Sequence, residues 1–133
     1  WNQITVNFWI IGPSSSVATA DTREIHDASL VIKADLGSRA CLFAGDASDV
    51  NLENIAVEVT NYCNDILHAS HHGSINGAEL SFIKGCNAKY TLISTQTGVY
   101  DNAPHPTALK RYSDNTVNDV RRTDIDGTWN WTF

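Results

Sequence analysis

Three short apolar runs, at residues 39–44, 65–69 and 89–94, are separated by segments whose apolar residues recur at helical spacing. In the first such segment Leu52, Ile55, Ala56 and Val59 fall on one face behind a capping hydroxyl at Ser48, which predicts a helix running to about Tyr62. The second segment spans residues 78–84 and is expected to stop at Gly85. In the third, Pro106 stands at a natural first helical position, followed by Ala108, Leu109 and Tyr112. Strands that alternate with helices in this way build a layered α/β sheet, because each helix carries the chain back to start a parallel neighbour.

The flanks read differently. Residues 4–11 alternate and then become wholly apolar, a strand that stops at Gly12-Pro13. Residues 14–27 are polar and small, and predict a long loop. Runs 29–34 and 39–44, joined by Asp35-Leu36-Gly37-Ser38, predict a β-hairpin. Runs 117–121 and 128–133, around Asp124-Ile125-Asp126-Gly127, predict a second. The expected fold class is therefore α/β: one domain over residues 1–133, with a mixed sheet, about three helices and hairpins at either end.

Composition narrows the function. A formal net charge of −6 gives no broad cationic surface for a nucleic-acid backbone, so non-specific nucleic-acid binding is not expected. No apolar run approaches the roughly 20 residues that span a bilayer. Cys41, Cys63 and Cys86 are odd in number and widely spaced, and each is expected to be a small buried apolar residue without a bridge. With no initiator Met and no charged, apolar leader, the chain reads as a domain excised from a longer one.

Chemistry in an α/β sheet collects where strands end, and three run ends carry potent groups: Gly45-Asp46, His71-His72-Gly73-Ser74 and His105-Pro106. A carboxylate has lone pairs on two oxygens and can bridge two metal ions, and imidazole is the usual nitrogen ligand of zinc. Each group also has a plainer reading. Asp46 can cap the helix that begins near Ser48, the histidine pair can bond backbone at a strand end, and His105 can shape a turn. His68 reads as structural, since residues three apart on a strand point to opposite faces and a clip with His71 would need a bend. Arg122 and Asp124 are expected to pair with backbone or with each other. Trp129 and Trp131, two apart, read as packing residues rather than a platform for stacking bases.

The ordered set Leu42-Phe43-Ala44-Gly45-Asp46, then Ile66-Leu67-His68-Ala69-Ser70-His71-His72-Gly73-Ser74, then His105-Pro106, then Arg122-Thr123-Asp124 resembles the metallo-β-lactamase-like domain of the ComEC competence proteins. The resemblance covers residues 29–129. It implies half of an αββα sandwich, with Asp46 as a zinc-bridging and catalytic carboxylate, His71 or His72 as a ligand to a second zinc, and His105 near the substrate. The family's His-x-His-x-Asp-His motif is absent, and His26-Asp27 has no companion histidines. The resemblance thus implies the C-terminal half of a zinc-dependent hydrolase of phosphodiester or related ester bonds, inactive alone. Its expected partner is a second copy or the missing N-terminal half. The alternative is a non-catalytic binding or dimerisation module derived from that fold.

Overall fold

The structure, a computed structural model, describes residues 5–21, 23–100 and 102–130. Six strands form one mixed sheet in sequence order: β1 Asn7–Gly12, β2 Val31–Asp35, β3 Ala40–Phe43, β4 Ile66–His68, β5 Tyr90–Ile93 and β6 Asp119–Arg122. The first three pair antiparallel, and β3 through β6 run parallel. A helical turn, α1 (Ser15–Ala18), follows β1. Helices α2 (Asp49–Glu58), α3 (Leu80–Cys86) and α4 (Pro106–Asn115) make the parallel crossovers, and a last turn, α5 (Thr123–Asp126), follows β6.

Local chemistry sets the boundaries. Ser48 Oγ accepts the Asn51 amide at 3.3 Å to start α2, and the Glu79 carboxylate accepts the Phe82 amide at 2.6 Å to start α3. The α/β class and the N-terminal hairpin stand as expected. Other boundaries shift. The supposed loop 14–27 contains α1, capped by Ser14, and enters a 3-10 turn at Ile25–Ala28. Helix α2 ends at Glu58, where Val59 turns to extended backbone. Gly85 does not stop α3 but lies inside it, because a Cβ there would sit 2.2 Å from the Tyr62 hydroxyl. The stop is Asn87, in the left-handed region at φ 47°.

Two further expectations are corrected. Cys63 and Cys86 are joined as a disulfide with their Cα atoms 4.7 Å apart, leaving Cys41 as the free thiol. Packing of α3 against the sheet brings its last residue over the lead into β4, a contact that a separation of 23 residues does not announce. There is also no C-terminal hairpin among the described residues: β6 joins β5 in parallel and residues 128–130 are irregular. Ile4 and Trp131, on which part of the sequence reading rested, lie outside the described residues.

The strand order has one consequence that governs the rest of the molecule. Parallel crossovers are right-handed, and strands β3 to β6 are added in one direction without reversal, so every crossover helix falls on the same face. Buried residues of α2, α3 and α4 accordingly share one core with the sheet: Leu52, Ile55, Phe82, Ile83, Ala108 and Tyr112 pack with Leu42, Leu67 and Ile93. Each fully buried Leu or Ile there contributes about 1.5–3 kcal/mol. On the other face the register aligns Ile32, Phe43, His68 and Leu92 in one row. Among the described residues no helix covers that row. Phe8 and Ile10 are about 70% exposed and Phe43 is 47% exposed, while Trp129 tilts over Tyr90 at 5.6 Å at the far end. Among the described residues no helix is long and apolar enough to cross a membrane.

Candidate functional site

Asp46 and the histidine pair meet at the C-terminal ends of β3 and β4. Gly45 turns the chain out of β3 at φ 56°, and a Cβ there would press on Ser29 Oγ at 2.9 Å and the Leu30 carbonyl at 3.1 Å. Ser29 Oγ then accepts the Asp46 amide at 3.1 Å, which holds the backbone and leaves the carboxylate free. From β4, Ser70 Oγ donates to the Ala47 carbonyl at 2.6 Å and the His71 amide to the Gly45 carbonyl at 2.9 Å. The two loops are thereby tied directly to each other.

His71, His72 and Gly73 form an unusual run of left-handed residues, at φ 48°, 56° and 77°. Only Gly takes this region freely, and each non-Gly residue costs roughly 1–2 kcal/mol. The conformation is held at several points. Ser74 N–H donates to the His71 carbonyl and His105 N–H to the Gly73 carbonyl, both at 2.9 Å. Gly77 lets the following turn pass beneath, since a Cβ would meet His71 Cβ at 2.8 Å.

The pair is then divided by partners. His72 Nδ1 lies 2.8 Å from the Ser94 carbonyl, and a carbonyl only accepts, so the Nδ1 atom carries the proton. In the neutral ring Nε2 is therefore a lone-pair donor, and it faces Asp46 Oδ1 at 3.6 Å. Two electron-pair donors held face to face call for a proton or a cation between them. With bonds of about 2.0–2.2 Å at tetrahedral angles, two ligands of one zinc stand about 3.4 Å apart, so the observed spacing fits a shared ion. His71 forms another wall of the same cavity, a volume of about 510 Å³ also lined by Ser74, Asn76 and Tyr100. Its Nδ1 is buried without a hydrogen-bond partner among the described residues. Burial, then the neighbouring His26, lowers its pKa despite Asp46, so the ring is neutral at neutral pH.

The donor chemistry suits zinc, and the donor number does not. Among the described residues no group of three or more His, Cys, Asp or Glu side chains is placed to hold a metal ion. Asp46 and His72 supply one pair, with His71 alongside on the cavity wall. We derive no catalytic step through a metal on this chain alone.

Other sequence-derived residues fall elsewhere. His105 lines neither this cavity nor the one behind it. Its Nδ1 accepts the Thr107 amide at 3.2 Å as the cap of α4. His68 sits on the helix-free face with its ring 6.3 Å from Phe43, and burial first, then His72, lowers its pKa. Arg122 and Asp124 pair through two bonds, at 2.7 and 3.1 Å, which hold the Asp124 carboxyl at about 2 and tie the turn to Thr97. Sequence reasoning missed His26. Its ring stacks on His71 with centroids 4.4 Å apart, between the first cavity and a second of about 360 Å³. The adjacent Asp27 is used up inside, accepting from Ser48 Oγ and from the Glu24 amide.

No protein-family model matches the chain, and no curated protein matches it.

Proposed function

We propose that this chain is one half of a zinc-dependent hydrolase of metallo-β-lactamase type, acting on phosphodiester or related ester bonds. The reading is carried by one observation: Asp46 Oδ1 and Nε2 of His72, whose Nδ1 is engaged by the Ser94 carbonyl, face each other at 3.6 Å, at the ends of adjacent parallel strands. A bound zinc would acidify a water and polarise the phosphoryl or carbonyl oxygen of the substrate. The chain's own part is to present Asp46 and His72 at fixed spacing, hold His71 neutral on the adjoining wall, and pin both loops through Ser29 and Ser70. Remaining ligands come from a second copy or from the missing N-terminal half, and the chain alone is inactive. His105 serves this site indirectly, by fixing Gly73 and the start of α4.

A second reading, a non-catalytic dimerisation module, is favoured by the helix-free sheet face. Zinc titration with a competing chromophoric chelator separates the two. On the hydrolase reading the chain binds zinc weakly, and Asp46→Ala and His72→Ala each lower the affinity by at least about 10-fold. Equal affinity in the wild type and both variants would sink it.

A further inference from the structure

We infer that the Cys63–Cys86 disulfide is a redox switch on the site: reducing it loosens the His71-His72-Gly73 turn that presents the zinc donors. The consequence for zinc rests on the reading above, whereas the loosening itself does not.

The bond encloses the strained part of the site. Between its cysteines, 23 residues apart, lie β4, the left-handed run at φ 48°, 56° and 77°, the turn at Gly77 and α3. His71 and His72 gain by leaving the left-handed region, so the turn persists only where both of its ends are held. The first end is held by β4, which pairs in parallel with β3 and β5. The second runs through Gly77 and Ala78, whose carbonyls accept from Tyr112 Oη at 2.9 Å and Arg111 Nη1 at 2.6 Å, and continues into α3. Helix α3 is in turn fastened to the lead into β4 twice, by Tyr62 Oη donating to the Phe82 carbonyl at 2.8 Å and by the disulfide beside it. A cross-link over 23 residues reduces the opened states of the enclosed segment by roughly 300-fold. A neutral hydrogen bond contributes about 5-fold. The disulfide therefore outweighs the Tyr62 and Tyr112 bonds, and of these ties it alone is covalent and can be cut and remade by redox chemistry.

The rest of the fold does not lean on it. Leu42, Leu52, Ile55, Ile93, Ala108 and Tyr112, all in the shared core, lie outside the enclosed segment. Reduction should thus open the turn and leave the sheet standing. The bond also has an approach of its own. Cys63 and Cys86 line a cavity of about 550 Å³ with Asn61, Asn64 and Lys89, at the end of the sheet opposite Asp46. At 5 and 2% exposure they offer it only a narrow edge, which suits a small dithiol as reductant. One thiolate of the dithiol attacks one sulfur, and the other sulfur departs as a thiolate and takes up a proton. The second thiol then displaces the first cysteine. Two electrons and two protons pass to Cys63 and Cys86, and the dithiol becomes a disulfide.

Amide hydrogen exchange, followed by nuclear magnetic resonance on the metal-free chain before and after reduction with excess dithiothreitol, tests this. The amides of His71, Ser74 and Gly77, bonded to the carbonyls of Gly45, His71 and Ser74, report the turn. Those of Leu52 in α2 and Leu109 in α4 report the fold. We expect exchange at the turn to quicken at least about 10-fold on reduction, that at Leu52 and Leu109 less than about 3-fold, and both to recover on reoxidation. Zinc affinity is compared between the wild type and the double variant Cys63→Ala/Cys86→Ala, because free thiolates and dithiothreitol would themselves bind the metal. It should fall at least about 10-fold in the variant. Unchanged exchange at the turn overturns the inference. So does equal acceleration at Leu52 and Leu109, which would make the bond a staple of the whole fold. Where Asp46→Ala shows that the site binds zinc, a folded double variant with wild-type affinity overturns it too. If Asp46→Ala and the wild type bind zinc equally, the metal reading falls, and selective acceleration at the turn still upholds the switch.

Discussion

Asp46 and Asp65 stand at opposite ends of the same pair of strands, and the fold spends one carboxylate and spares the other. Asp65, just before β4, is 1% exposed and accepts the Ala40 amide at 3.0 Å and the Lys89 ammonium at 2.7 Å. Burial would raise its pKa, but those bonds, with the charges of Lys89 and Arg39, hold it below the usual range. Asp46, just after β3, is half exposed, and among the described residues its carboxylate meets His72 alone, at 3.6 Å. The β3–β4 junction is thus bolted at one end and open at the other. A carboxylate whose lone pairs are already satisfied holds a fold together, and one whose lone pairs are free is available for chemistry.

The sharpest way to break the contrast is substitution at both ends. Asp65→Asn leaves the Ala40 amide and Lys89 without their charged acceptor and should lower unfolding stability by about 3 kcal/mol in urea titration. Asp46→Asn should change it by less than about 0.5 kcal/mol. Similar costs at the two positions would mean that Asp46 is structural.

The two ends should also titrate in different windows. A carboxyl whose folded pKa is depressed stabilises the fold above its unfolded value of about 3.9, and that contribution is lost as pH falls through the folded pKa. For Asp65 and Asp124, the latter held at about 2, the loss therefore comes below about pH 4. At the open end the sign is the same but the window is higher. Burial lowers His71 and His68 in the fold, so below their unfolded value of about 6.5 protonation favours unfolding. Stability of metal-free protein should fall first as pH drops below about 6.5, a phase that His71→Gln diminishes and Asp65→Asn leaves in place.

A smaller effect tests the hinge that presents Asp46. Gly45→Ala places a Cβ at φ 56° and 2.9 Å from Ser29 Oγ, and should cost about 1–2 kcal/mol while weakening zinc binding. Stability and affinity both unchanged would show that the turn does not position the carboxylate.

Local features were legible in the sequence because local physics sets them. The cap at Ser48, Pro106 at the start of α4, and the apolar runs of β2, β3, β4 and β5 each depend on a few consecutive residues, and the structure has each in place. Gly45-Asp46 and His71-His72 could be placed at strand ends for the same reason. Gly85 misled because a glycine reads as a stop, whereas here it makes room for Tyr62.

The sequence by itself determined the alternation of strands and helices, the α/β class and the residues standing at the strand ends, since periodicity and capping act within one or two turns of chain. Only the tertiary structure decided that every crossover helix lies on one face, that Cys63 meets Cys86, that His26 stacks on His71, and that β6 joins β5 in parallel. Each of these is a contact between segments far apart along the chain. The handedness of the crossovers and the packing of the core choose such contacts, and no short stretch of sequence carries that choice.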